Sequence, residues 1–149
     1  MAHQRIRNRA LILSLHHPIY SFDVYHSGSS RMADALENSI RDTGRVPNLV
    51  LNGHVHDYQR IEKKIAPGAP TPFFVVGNGG YHNLHDIHSA NGTVASDTGA
   101  KLIYGKVVWG YMTLTIDKRN IKGPALKSTS PETSPTRPTL FPIRQPLSS

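Results

Sequence analysis

Two short apolar runs, each stopping abruptly at histidine, constrain this chain more than any other feature. Residues 10–15 (Ala-Leu-Ile-Leu-Ser-Leu) are nearly continuous in apolar character and end at His16-His17-Pro18. A run that short, closed by proline, predicts a strand covered on both faces. Residues 46–51 repeat the pattern and lead into Asn52-Gly53-His54-Val55-His56. Between the runs, Ser27-Gly28-Ser29-Ser30 offers N-cap hydroxyls, Met32, Ala33, Leu36 and Ile40 recur on one helical face, and Gly44 can close the helix. Strand, helix, strand is an α/β pattern, in which ligands gather beyond the carboxyl ends of the strands. Both sets of histidines stand at such ends.

Downstream, 72–76 predicts a third strand ending in the loop Gly77-Asn78-Gly79-Gly80, whose glycines open backbone conformations closed to other residues. Residues 81–106 lack periodicity and predict a long surface excursion carrying His82, His85 and His88. Partial alternation over 107–116 predicts a last strand. From Lys118 onward the chain is rich in Ser, Thr and Pro, with Glu132 its single acid, a composition that predicts a disordered tail over 118–149. The expected domain is therefore 10–117, behind a basic segment at 1–9.

With 149 residues, one hydrophobic core is the natural expectation. No cysteine is present, so a metal would have to be held by histidine, carboxylate or amide groups. No apolar run approaches the roughly 18 residues of a membrane span, and the basic Met1–Arg9 stretch has no signal-type apolar segment behind it. No membrane association is expected, and the compartment is left open. The net charge of +7 resides at the ends: Arg5, Arg7 and Arg9 at one, a net five positive charges after residue 117 at the other. A near-neutral body gives no cationic face for tracking phosphates, so no nucleic-acid partner is expected.

His54 and His56 are two residues apart, so on extended backbone their side chains project to one side, each able to reach a metal at about 2.0–2.1 Å. An isolated His-x-His is more often a packing pair. Here a buried strand precedes it, Gly53 permits close backbone approach, and a second strand ends in His16 as a third candidate ligand.

Leu13-Ser14-Leu15-His16-His17-Pro18-Ile19-Tyr20, together with Leu51-Asn52-Gly53-His54-Val55-His56-Asp57-Tyr58, resembles the C-terminal half of the calcineurin-like metallophosphoesterases, on their purple-acid-phosphatase-like side. The resemblance covers about residues 10–116. It implies an α/β (α+β) architecture, two sheets packed as a β-sandwich flanked by helices, of which this chain supplies about half. It implies metal-dependent hydrolysis of phosphoester bonds at a binuclear centre of iron, zinc or manganese. His16 and His54 would bind one metal, His56 the other, and His26 would face the substrate phosphate.

The family's upstream elements Gly-Asp-x-x-Asp and Gly-Asn-His do not occur here; Gly77-Asn78-Gly79 lacks the histidine, and the one Asp-x-His, Asp86-Ile87-His88, lies downstream of Gly53-His54-Val55-His56. Two dications 4 Å apart repel by about 17 kcal/mol at an effective dielectric near 20, and neutral imidazoles supply no counter-charge. At most one metal is therefore expected on this chain, with weak activity or none until an N-terminal half joins it to act on a phosphoester substrate. The alternative is a non-catalytic module binding a single zinc or similar ion, or serving as an interaction domain. His17, Tyr58 and Arg60 are candidates for bracing the ligands. Asp23 and Asp57 match no ligand position of the family and are not counted, and His82, His85 and His88 are weighed as incidental loop residues.

Overall fold

The computed structural model describes residues 9–117, 120–128 and 139–142. β1 (Ile12–Leu15) and β2 (Leu49–Asn52) lie parallel, joined through α1 (Ser30–Thr43), and β4 (Thr71–Val76) extends the parallel set on the other side of β2. β3 (Tyr58–Lys63) fits antiparallel between β4 and β5 (Lys101–Lys106), so the sheet order is β1-β2-β4-β3-β5. A second, antiparallel sheet has the order β6 (Gly110–Ile116), β7 (Asn120–Ser128), β8 (Thr139–Pro142).

α1 starts and stops where its caps dictate. The Ser29 hydroxyl accepts the Met32 N–H at 3.3 Å, and Gly44, at φ 65°, donates its N–H to the Ile40 carbonyl at 2.8 Å. The period-two alternation of the strands then separates two cores. On one face Val50, Ile61, Phe73, Val75 and Leu102 pack with Leu36 and Ile40 of α1; on the other Leu49, Tyr58 and Phe74 pack with Val108, Ile121 and Leu126. The mixed sheet is thus covered by a helix on one side and by the second sheet on the other. This is the α+β, two-sheet arrangement expected, and each fully buried Leu, Ile or Phe in it contributes about 1.5–3 kcal/mol.

Three expectations need correction. Residues 101–106, assigned to a surface excursion, form β5, because Leu102 and Ala100 are buried against β3 and the helix-side core. β3 escapes sequence reading because Tyr-Gln-Arg-Ile-Glu-Lys is mostly polar, yet Tyr58, Gln59 and Ile61 are all buried. The disordered tail expected from 118 begins instead with paired structure: β7 aligns with β6, and Ile121 and Leu126 are apolar anchors at 0% and 4% exposure. Residues 139–142 pair with β7, and the remainder of the expected tail lies outside the described residues. Among the described residues no helix is long and apolar enough to cross a membrane.

β1 is an edge of the mixed sheet. Ser14 on it is exposed, Leu13 and Leu15 are only half-buried, and an apolar groove of about 470 Å³ runs between β1 and α1, lined by Leu11, Leu13, Leu15, Met32, Leu36 and Ile40 among others. An open edge with apolar flanks invites pairing with another chain. The isolated protein should therefore elute above its monomer mass and melt broadly, and Ser14→Lys should shift it toward monomer; size-exclusion chromatography with light scattering checks this, and a sharp, monomeric melt of the unmodified chain would contradict it.

Candidate metal centre

Parallel pairing sets the first two ligand candidates side by side. Leu15 of β1 is in register with Asn52 of β2, so the residues immediately after each strand emerge together. Gly53 donates its N–H to the His16 carbonyl at 3.0 Å, and the Asn52 amide donates to the carbonyls of Leu15, at 3.3 Å, and His17, at 2.9 Å. The two strand ends are laced together before any metal is considered. His54 then takes φ 66°, a left-handed conformation in which His is enriched but which remains uncommon for a residue with a Cβ. Its Nδ1 comes within 3.2 Å of His16 Nε2.

That separation is close to the edge of a tetrahedron, about 3.3 Å, built by ligands around zinc at about 2.0–2.1 Å. His17 joins them: one ring nitrogen from each of His16, His17 and His54 lies within 4.8 Å of the others. Burial, followed by the neighbouring imidazoles of His17, His26, His16 and His56, holds His54 below the usual histidine range and so favours the neutral form a metal requires. The donor set of soft-to-borderline nitrogen atoms fits zinc or iron better than a hard cation.

His56 lies further along the same loop and is half-buried. Its Nδ1 donates to the Asn83 carbonyl at 2.8 Å, which fixes the tautomer and leaves the Nε2 lone pair available, the pattern usual in ligating histidines. Its ring stacks on His85 at 4.6 Å between centroids, His85 stacks on His26 at 5.0 Å, and His26 meets His54 edge-on at 4.9 Å. The imidazoles therefore form one continuous surface array from both strand ends through the loop that follows β4.

Two residues of this region were not legible in the sequence. His85, weighed as incidental beside the better-placed His82, joins the array, while His82 and His88 remain exposed outside it. Asp23 matches no family ligand position, yet its buried carboxylate sits with His26 and His85, the three offering ligand atoms within 4.8 Å of one another. The signal that could have found Asp23 is local: Asp23-x-x-His26 is an Asx-turn spacing, and Asp23 Oδ2 accepts the N–H groups of Tyr25 and His26 at 3.0 and 2.7 Å.

Beneath the array lies a polar layer that a sequence reader would not place in a core. Asp57 is fully buried, and burial, opposed by its hydrogen bonds from Gln59 and aided by the charge of Asp23, pushes its carboxyl up to about 7. Gln59 Nε2 donates to both Asp57 oxygens at 3.1 and 2.8 Å, while its Oε1 accepts the Phe22 N–H at 2.8 Å. One side chain thus ties the ligand loop to the loop carrying His26. From the other side, Gly77 backs the ligand loop so closely that a Cβ there would fall 1.9 Å from the Val55 carbonyl oxygen.

Both supports make testable statements. Gly77→Ala has to push the 53–57 loop outward, so metal affinity should fall by at least tenfold in a zinc competition titration while far-ultraviolet circular dichroism keeps its strand signal. Gln59→Met removes the amide at nearly constant volume and strands two buried groups at about 1–3 kcal/mol each. Urea denaturation should register a loss of about 2–6 kcal/mol.

The fold has known counterparts. The chain is similar to the purple acid phosphatase PPD1 isolated from yellow lupin (Lupinus luteus) seeds, with a TM-score of 0.68 and 18% identity, over 89% of this chain and 25% of that one. It is also similar to GAP50, the anchor in the inner membrane complex of Plasmodium, with a TM-score of 0.64 and 18% identity, over 92% of this chain and 38% of that one. No protein-family model matches the chain, and no curated protein sequence matches it. The likeness is one of fold alone: the chain shares the arrangement of part of each of these structures, over less than two fifths of the length of either.

Proposed function

We propose that this chain carries the C-terminal metal-ligand portion of a phosphoester-hydrolysing site and completes it when joined to an upstream half. The observation that supports this most is the 3.2 Å approach of His16 Nε2 and His54 Nδ1, at the carboxyl ends of adjacent parallel strands in a phosphatase-like fold. In this reading His16 and His54 hold one metal and His56, through Nε2, contributes to a second. A bound iron, zinc or manganese ion polarises a phosphoryl oxygen and lowers the pKa of coordinated water. The chain's own residues supply position. Asn52 and Gly53 fix the strand ends, Asn83 fixes the His56 tautomer, and Asp23 Oδ2, 3.0 Å from His26 Nδ1, orients the imidazole that faces the substrate phosphate. The substrate is a phosphoester, and the partner is the half bearing the absent carboxylate ligands.

A second reading, a non-catalytic metal-binding or interaction module, is favoured by one observation: among the described residues no carboxylate belongs to the His16, His17, His54 group. The second structural counterpart is itself named as an anchor. Assaying p-nitrophenyl phosphate with manganese, zinc or iron separates the two. The expected result is metal binding but little turnover by the chain alone, and turnover when it is fused to the N-terminal half of a purple acid phosphatase. His16→Ala or His54→Ala in the fusion should lower that turnover at least a hundredfold. Metal binding with no hydrolysis in the fusion would leave the module reading standing.

A further inference from the structure

We infer that Asp23, His26 and His85 form a second transition-metal site, an Asp-His-His set contained within this chain and adjacent to the His16–His54 pair. It does not depend on the phosphoesterase reading, and with a metal held there His26 would serve as a ligand instead of facing a substrate phosphate.

The argument begins with an unmet polar atom. Asp23 is 4% exposed, its Oδ2 accepts the N–H groups of Tyr25 and His26 and lies 3.0 Å from His26 Nδ1, but its Oδ1 is buried without a hydrogen-bond partner. A buried carboxylate oxygen left unpaired is costly, and such atoms call for an explanation. Oδ1 points at His85: His85 Nδ1 is 3.4 Å away, too long for a good hydrogen bond. It is, however, close to the roughly 3.3 Å that separates two ligands of a tetrahedral zinc ion. One ligand atom from each of the three residues lies within 4.8 Å of the other two, so small ring rotations close the set.

The chemistry agrees with the geometry. One carboxylate and two imidazoles are a common three-ligand set for zinc, leaving the fourth position to water. The carboxylate supplies the negative charge that the His16–His17–His54 group lacks. The set is also held from behind. Asp23 is fixed by its Asx turn and by the Val24 N–H donating to the Asp86 carbonyl at 3.0 Å, and His85 by its N–H donating to the His56 carbonyl at 3.0 Å. Pre-organisation of this kind lowers the cost of assembling a metal site.

The test is zinc titration of the full chain against a chromophoric chelator, with cobalt substitution read by its visible d–d absorption. The double variant His16→Gln/His54→Gln should keep one zinc equivalent and an intense, tetrahedral-type cobalt spectrum. Adding His85→Gln or Asp23→Asn to it should weaken that remaining equivalent about a hundredfold. His85→Gln serves as the control for folding, because Asp23 also caps a turn and His85 does not. Loss of all zinc binding in the folded His16→Gln/His54→Gln variant would overturn the proposal, as would a residual site indifferent to His85→Gln. Hydrolysis is not measured in these experiments, so failure of the phosphoesterase reading and failure of this site are told apart.

Discussion

The parallel pairing of β1 with β2 is the constraint on which the rest of the site depends. Its register, Leu15 against Asn52, places His16 and His54 within reach of each other, and the hydrogen bonds from Gly53 and Asn52 lock the two strand ends. A one-residue slip would turn every side chain to the opposite face and would put the core leucines of β1 on the wrong side of the sheet. Apolar burial therefore protects the ligand geometry: the energy that holds Val50 and Phe73 against α1 also fixes where the imidazoles emerge.

Carboxylates shape the site from below. Asp57 and Asp23 are both buried, and they differ in their satisfaction. Gln59 donates to both oxygens of Asp57 and spans to the Phe22 backbone, so that carboxyl is a structural joint between two loops. Asp23 keeps one oxygen occupied by its own turn and leaves the other aimed at His85. In a low-dielectric setting the first arrangement rigidifies, while the second leaves a carboxylate oxygen without a hydrogen-bond partner.

A phosphatase and an anchor protein both overlay this chain at 18% identity, so the same fold serves different ends. In this chain the candidate ligand groups are rich in imidazole and sparing in carboxylate.

By itself the sequence determined the elements whose signals are local. The Ser29 and Gly44 caps of α1 and the two buried runs could be read directly, because capping, helical periodicity and apolar continuity act within a few residues. It also placed His16, His54 and His56 near strand ends. Only the tertiary structure decided which side chains converge. β3 hides its burial behind polar letters, since Gln59 is buried by hydrogen bonds across 37 residues. β7 is a strand because β6 needs a partner, despite a tail composition that argues for disorder. Asp23 and His85 meet across a long separation, through the bridge between Asp23 and Ile87 and the bond from Val24 to Asp86. Such contacts carry no periodic trace, because their energy comes from desolvation and hydrogen bonding between segments that the chain order keeps apart.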